Sequence, residues 1–536
     1  MTTKKIYLLD NFDSFTYNLV DEFRKEGHEV SIYRNSVSED DIIKKMESEK
    51  EEPVLVLSPG PSTPEDAGCM LKLIQKAIGK FPIIGICLGH QALCQHYGAK
   101  ITNAPSIVHG KASLVNHTNH AVFKDMPNPL PVARYHSLIA TELPKNIEVI
   151  ASLDNMPMAI LNRKDRVIGF QFHPESILTT FGAKLLSQSI DFVSKPLPNT
   201  KALISKVYEG LDLTQEESIT LFDTIFAGDM NPIELGSFLT ALKIKGEKVE
   251  EIAGAATSML KAATYFNRKR DFEVGEIVGT GGDGVGSINI STMSSIVAAT
   301  CGLHIAKHGN RSVSSKTGAS DLLKALGVNI TMTPETSFNT LKSTGVTFLF
   351  APVYHSAMRF AAPVRAALGV RTIFNILGPL TNPSHPDYIV LGVYAKELIP
   401  VMAEVLKNNG MKRGFVVHGS GLDEIAMHGE TNYALLNNGE ITYGVLTPED
   451  FGLQKYPLEG ILGGAPEENR DITLNILKGK GTEAQNASVA ANTAALLYLG
   501  GKVKTLKEGA TLALDTIKSG KAYKKLQDFI NATIEE

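Results

Sequence analysis

Two sets of residues in this chain are spaced for chemistry, and the two chemistries differ. The first is Gly85-Ile86-Cys87-Leu88-Gly89, with His173-Pro174-Glu175 downstream. A thiol, a base and a carboxylate to orient the base are what acyl transfer needs. The second is a glycine-rich loop, Gly279-Thr280-Gly281-Gly282-Asp283-Gly284. Successive backbone N–H groups without side chains to shield them form a cradle for phosphate. Neither set needs the other's residues to complete its own site.

The elements that must position the thiol can be read locally. Phe81-Pro82-Ile83-Ile84-Gly85-Ile86 is a strand candidate and Leu88-Gly89-His90-Gln91-Ala92-Leu93 opens a helix, so Cys87 falls in the turn between them. The flanking glycines are expected to permit the strained backbone of a nucleophile elbow, and a helix N-terminus favours a thiolate. Val167-Ile168-Gly169-Phe170-Gln171-Phe172 is a second strand. Residues two apart on an extended chain share a face, and Pro174 keeps His173 extended, so His173 and Glu175 should point together. Taken singly, the motifs are better explained as a buried cysteine and an ordinary His-Pro turn; the pair points to a nucleophile and its base.

The glycine loop also satisfies Gly-x-Gly-x-x-Gly, but a dinucleotide fold expects a ribose-binding acid about 20 residues further on. No Asp or Glu occurs between Gly284 and Ser320. The chain instead continues through Asn289-Ile290-Ser291-Thr292 to Lys307-His308-Gly309-Asn310-Arg311-Ser312-Val313-Ser314-Ser315, hydroxyls, amides and cations suited to phosphates. Asp423-Glu424 comes after a predicted strand, Gly414 to His418, and Gly419-Ser420-Gly421. Neighbouring carboxylates diverge, so the pair is placed to hold two Mg2+ ions or to bracket one, with phosphates and water completing the octahedra.

At 536 residues and 43% hydrophobic, the chain is too long for one core, since single cores stop growing at roughly 250 to 300 residues. Short apolar runs (Ile6 to Leu9, Pro53 to Leu57, Pro82 to Ile86, Val167 to Phe172) alternate with helical patterns over residues 1–193, which predicts an α/β domain. Residues 194–200 carry two prolines among polar residues and are read as a linker. A small helical subdomain is expected over about 201–270: Thr214 and Glu217 have capping-box spacing before Ile219, Phe222, Ile225 and Phe226. Asn231-Pro232 opens the next helix, and Val249, Ile252, Ala256, Met259 and Leu260 mark a third. An α/β pattern resumes over about 271–536.

Basic and acidic residues number 53 and 57, a net charge of -4, which predicts neither nucleic acid nor a membrane as partner. Four cysteines without a CxxC pair fit a reducing compartment. With no signal-peptide pattern and no spanning apolar run, the cytoplasm is the expected location.

Cys87, His173 and Glu175 together resemble the triad-type glutamine amidotransferases. Asp10-Asn11-Phe12-Asp13-Ser14-Phe15-Thr16-Tyr17-Asn18 resembles the start of the small subunit of anthranilate synthase or of aminodeoxychorismate synthase. The resemblance implies that Cys87 attacks the glutamine amide, His173 carries the proton and Glu175 holds the imidazole. It places Gly60, Pro61, Ser62, Gln91, Ser137 and Leu138 at glutamine-binding positions, with Ser58-Pro59-Gly60-Pro61 near the oxyanion. Ser62 stands where that family often has glycine.

Residues from about 200 to 536 resemble anthranilate phosphoribosyltransferase. That resemblance assigns phosphoribosyl pyrophosphate (PRPP) to Gly279, Gly282, Asp283, Ser287, Asn289, Ile290, Ser291, Thr292, Lys307 to Ser315 and Ala319, with Ser287 and Ala319 standing where threonine and serine are frequent. Gly279, Asn310 and Arg365 match anthranilate contacts; Ser291, Asp423 and Glu424 match Mg2+ positions, two ions to a site. A guanidinium such as Arg365 grips a carboxylate in two-pronged fashion.

Together the resemblances imply a fusion of two functions of tryptophan biosynthesis, with glutamine, PRPP and anthranilate as substrates. Ammonia would pass to a separate chorismate-binding anthranilate synthase subunit, component I, and the helical subdomain would form a homodimer. The absence of tryptophan from the chain agrees with this. Two other readings stay open: an aminodeoxychorismate-type amidotransferase joined to a nucleoside phosphorylase, and a first domain that serves as a docking scaffold with a silent thiol.

Overall fold

Four apolar runs of the first domain, joined by the unannounced strand Glu29–Arg34, become the parallel half of a nine-stranded sheet. Glu29–Arg34, Lys5–Asp10, Val54–Leu57, Ile83–Ile86 and Val167–Phe170 lie side by side in that order. Along Lys5–Asp10 the side chains alternate: Ile6 and Leu8 enter one core, Tyr7 and Leu9 the other. Helices therefore cover both faces, which is why Val54–Leu57, Ile83–Ile86 and Val167–Phe170 are buried at every position. The computed structural model describes residues 3–105, 110–118, 120–144, 146–195, 199–268, 271–311 and 317–534, and the chain divides into two compact units, Met1–Leu197 and Pro198–Glu536.

Four strands that the pattern of apolar runs did not announce extend this sheet antiparallel: Met156–Asn162, Glu148–Leu153, Lys111–His117 and Leu130–Arg134. Their signal is masked. Pro131 and Pro157 sit inside strands, where proline is a counter-signal, and Lys111–His117 is largely exposed. The linker also differs from expectation. Ser194 closes the helix Gly182–Val193, residues 196–198 lie outside the described residues, and Asn199 already caps the helix Thr200–Tyr208, its side chain accepting from the Ala202 amide.

In the second unit the Thr214–Glu217 capping box forms in both directions and starts the helix Gln215–Ala227. Ser218 and Leu221 join Phe222, Ile225 and Phe226 on its buried side, and Ile219, expected there, is only half-buried. Asn231 accepts from the Ile233 amide, with Pro232 at the first position of Pro232–Lys245. The third helix is Val249–Lys261.

The rest of the unit is built on a seven-stranded sheet in the order Val346–Phe350, Ile305–Gly309, Gly275–Gly279, Tyr388–Gly392, Arg413–Gly419, Thr431–Asn437 and Glu440–Leu446. The first five are parallel. Four adjacent parallel strands end in glycine: Gly309, Gly279, Gly392 and Gly419. In α/β sheets, ligands bind beyond these carboxyl ends. Among the described residues no helix is long and apolar enough to cross a membrane.

Candidate active sites

In the first unit the strand Ile83–Ile86 leads through Cys87 into the helix Leu88–His96. The strain falls on Cys87 itself, at φ 50° and ψ -98°, a region costly for a side-chain-bearing residue. The flanking glycines do something other than what was expected of them. Neither takes a positive φ among the described glycines. A Cβ on Gly89 would lie 2.7 Å from the Leu57 Cβ, and one on Gly85 2.7 Å from the Gly89 carbonyl, so both permit close packing of helix on sheet.

His173 and Glu175 do point together, with Nδ1 donating to Glu175 Oε1 at 2.7 Å. Burial alone disfavours the imidazolium, but attraction to Cys87 and Glu175 outweighs it and raises His173 to about 10. The protonated ring is thus favoured across neutral pH, ready to protonate a leaving amine. His173 Nε2 is buried without a hydrogen bond of normal length, the slack commonly seen before substrate draws a site together. Phe15 and Tyr135 pack their rings on His173 at 5.3 and 4.9 Å.

Of the positions expected to bind glutamine, Gly60 and Gln91 are tied to residues beside this thiol. Gly60 packs on Leu88, beside Cys87. Ser62, next to Pro61 on the same loop, adopts φ 64°, the left-handed region that glycine enters freely, which accounts for the expected residue there. Gln91 Nε2 donates to the Leu138 carbonyl at 3.0 Å, and the Ser137 carbonyl accepts from Ala104 at 2.8 Å. Gln171, not singled out from sequence, accepts from Gln91 Nε2 through its Oε1 at 3.3 Å, and its own Nε2 lies 3.9 Å from Cys87 Sγ. Its alternation with Phe170 and Phe172 on a buried strand was the available signal.

In the second unit a cavity of about 990 Å3 opens at the glycine-ended strands. Gly279, Gly282, Asp283, Ser287, Asn289, Ser291, Thr292, Lys307, His308, Gly309, Asn310, Arg311, Ala319, Arg365, Asp423 and Glu424 line it. Ile290 does not: its side chain is fully buried in the core, because the first turn of the helix Ile290–Thr300 turns it inward. Ser312, Val313, Ser314 and Ser315 lie outside the described residues.

Gly281, Gly282 and Gly284 all take positive φ, at 68°, 79° and 79°, which glycine alone adopts without strain. The Gly281 amide donates to Asp423 Oδ2 at 2.6 Å. Ser291 donates to Glu424 Oε1 through its amide at 3.3 Å and its hydroxyl at 3.0 Å. Burial and the charge of Asp283 raise Asp423 to about 6; burial and Asp423 raise Glu424 to about 8.

Among the described residues no cage of three or more His, Cys, Asp or Glu side chains is present. These carboxylates nevertheless fit Mg2+: all donors are oxygen, like charges crowd together, and Glu424 Oε2 is a buried oxygen with no partner. Substrate phosphates and water would supply the remaining ligands.

The Asp423-Glu424 turn sits directly on the glycine strand ends. A Cβ at Gly392 would overlap the Asp423 carbonyl, one at Gly419 the Glu424 carbonyl, and one at Gly279 the Asp423 carboxylate. Gly392 escaped the sequence reading, since nothing local distinguishes it. Gly392→Ala should lower turnover at this site by about tenfold, because a displacement on the order of 1 Å in positioning groups is enough for such a loss; initial rates at saturating Mg2+ would measure it. Arg371 lines the cavity too, its guanidinium contacting the Gly282 carbonyl and stacking 4.1 Å over Tyr394.

Over 98% of its length the chain is 38% identical to the bifunctional protein TrpGD of Thermotoga maritima, 91% of which the match covers. The chain belongs to the TrpGD family. Three family models divide this TrpGD-family chain: glutamine amidotransferase class-I matches residues 7–192, the glycosyl transferase family helical bundle domain 201–263, and the glycosyl transferase family a/b domain 273–523.

The anthranilate phosphoribosyltransferase of Tolumonas auensis is 54% identical over 62% of the chain and 98% of its own length. Among solved structures, anthranilate phosphoribosyltransferase (TrpD) from Thermus thermophilus matches with a TM-score of 0.59 and 43% identity, over 62% of this chain and 99% of that one. The Saccharomyces cerevisiae enzyme, solved in complex with PRPP and Mg, matches with a TM-score of 0.57 and 30% identity over 63% of this chain and 99% of that one.

Proposed function

We propose that Cys87, His173 and Glu175 hydrolyse glutamine and that the cavity at the glycine-ended strands joins PRPP to anthranilate. The chain is a bifunctional enzyme of tryptophan biosynthesis with glutamine amidotransferase and phosphoribosyltransferase activities. The observation that carries the residue-level reading is that each unit holds a complete set of reacting groups within one continuous match to TrpGD.

In the first unit Cys87 Sγ attacks the side-chain amide carbon of glutamine. His173 passes its proton to the departing nitrogen, which leaves as ammonia. Water then hydrolyses the glutamyl thioester to glutamate, with His173 as base and Glu175 holding the ring. Ammonia goes to a separate chorismate-binding subunit, component I, a reading supported by the class-I glutamine amidotransferase match of the first unit.

In the second unit the amine of anthranilate displaces pyrophosphate from the ribose C1 and loses a proton. Lys307, the amides of the glycine loop and the start of the helix Ile290–Thr300 bind the phosphates. Asp423, Glu424 and Ser291 would hold Mg2+, two ions to a site, which would supply neutralisation of the charge that builds on the leaving pyrophosphate. Arg365, stacked on Phe374 at 5.2 Å, takes the anthranilate carboxylate, with Asn310 and Gly279 beside the ring. The exposed Ile233 and Ile244 of the helix Pro232–Lys245, 81% and 82% accessible, support pairing of the bundle with a second copy. A biosynthetic enzyme of this kind works in the cytoplasm.

The test is to mix the chain with PRPP, Mg2+ and anthranilate, without glutamine, and follow loss of anthranilate fluorescence with pyrophosphate release. Matched changes are expected. No turnover by folded protein, with cleavage of a nucleoside by phosphate instead, would replace this reading with the phosphorylase one. Arg365→Ala should raise the KM for anthranilate by about 30-fold, roughly the 2 kcal/mol of a charged hydrogen-bonded contact, and leave that for PRPP nearly unchanged.

A further inference from the structure

The segment Ala133 to Leu138 touches both sides of the thiol site. At one end the Ala133 carbonyl accepts from the His173 amide at 3.0 Å, an antiparallel bridge that ties the strand Leu130–Arg134 to the base. At the other, the Leu138 carbonyl receives Gln91. Between them Tyr135 faces His173, while Arg134 and His136, alternating with it, are buried at 4% exposure each.

Arg134 and His136 form a chain whose proton positions are determined. Arg134 Nε lies 3.1 Å from His136 Nε2. A guanidinium only donates, so Nε2 must carry a lone pair. The proton of the neutral ring is then on Nδ1, which lies 3.1 Å from the Leu138 carbonyl and donates to it. Burial, with the neighbouring Arg134 charge, pushes His136 down to about 4, so the ring stays neutral. Arg134 is itself buried, with Asp154 the carboxylate whose charge reaches it, and its own charge acts on His136.

The Leu138 carbonyl thus accepts two fixed donors, His136 Nδ1 and Gln91 Nε2. Gln91 Nε2 also reaches Gln171 Oε1 at 3.3 Å, and Gln171 in turn reaches Cys87. Orientation of a side-chain amide that can otherwise flip is decided by such a network. With both hydrogens of Gln91 Nε2 engaged by protein, its Oε1 is the atom left to meet substrate.

We propose that Arg134 and His136 are positioning residues for glutamine: they lock the Leu138 carbonyl and through it orient Gln91, without touching the reacting atoms. The inference rests on the glutaminase reading of this unit. It predicts an effect on glutamine binding that is separate from the reactivity of Cys87.

Two variants of the full chain distinguish a located donor from mere polarity. Asparagine at 136 places an amide N–H where imidazole Nδ1 is, and glutamine places it nearer Nε2. Cys87 is labelled with a diazoketone analogue of glutamine, which reports binding as KI and reaction as kinact, and separately with iodoacetamide, which needs no glutamine site. His136→Asn should keep KI within about threefold of the parent, and His136→Gln should raise it about tenfold or more, the loss of one well-placed hydrogen bond. Kinact and the iodoacetamide rate should change by less than about twofold in both.

Equal KI values for the two variants would overturn the inference, as would a parallel fall in the iodoacetamide rate. If the parent chain reacts with iodoacetamide at Cys87 yet shows no saturation with the diazoketone, the glutaminase reading itself fails, and the inference with it. Should the substitutions at 136 unfold the unit, Arg134→Met removes only the group that fixes the tautomer, and a KI unchanged from the parent would overturn the inference.

Discussion

Cys87→Ser should abolish glutamine hydrolysis, by about 10^3-fold or more, while phosphoribosyl transfer to anthranilate stays within about twofold of the parent. The hydroxyl keeps the shape of the elbow but is a far weaker nucleophile than a thiolate, and the attraction to Cys87 that helps hold His173 protonated goes with the sulfur. The second activity should survive because the Cys87 site and the PRPP cavity draw their lining residues from separate units. Measuring both reactions on one preparation controls for the amount and integrity of the second unit, and an unchanged melting transition does so for the first. A comparable loss in both would mean that the two chemistries are coupled.

The reciprocal change is Glu424→Gln, which should reduce phosphoribosyl transfer by about 100-fold and leave Cys87 labelling intact. The amide can still accept from Ser291, so the local bonds persist. What is lost is the charge that draws Mg2+ into a site already crowded by Asp423 and Asp283, worth about 3 kcal/mol of the several that a metal contributes. Without metal the same crowding is a burden. At pH 7 in Mg2+-free buffer the variant should melt about 2 °C or more above the parent: burial first, and then Asp423, raise Glu424 to about 8, so the parent must take up a proton to fold, a cost of about 1 kcal/mol or more that the amide avoids. A fall in both activity and melting temperature would show that Glu424 is needed for the fold.

The thiol elbow and the His173–Glu175 pair were legible because everything they need lies within a few residues. A strand, one turn residue and a helix place Cys87, and alternation along an extended chain places His173 above Glu175. The role given to the flanking glycines was not legible. Relief of strain and close approach select the same residue type, and only the packing of Gly89 on Leu57 separates them. Ile290 was carried into the phosphate site by its neighbours, yet the turn of the helix that presents Ser291 to the cavity sends Ile290 into the core.

By itself the sequence determined the kinds of chemistry present, the parallel strands, the bundle helices and their caps, since each depends on local spacing and on side chains meeting their own backbone. Tertiary structure alone decided how distant groups meet. Gly281 and Asp423 are 142 residues apart along the chain, and Gln171 and Cys87 are 84 apart. It also decided the antiparallel half of the first sheet and the strand-end seat of Asp423 and Glu424. No local period records such contacts: they arise when sheet order brings strand ends together, and the energy that holds them comes from burial summed over the whole unit.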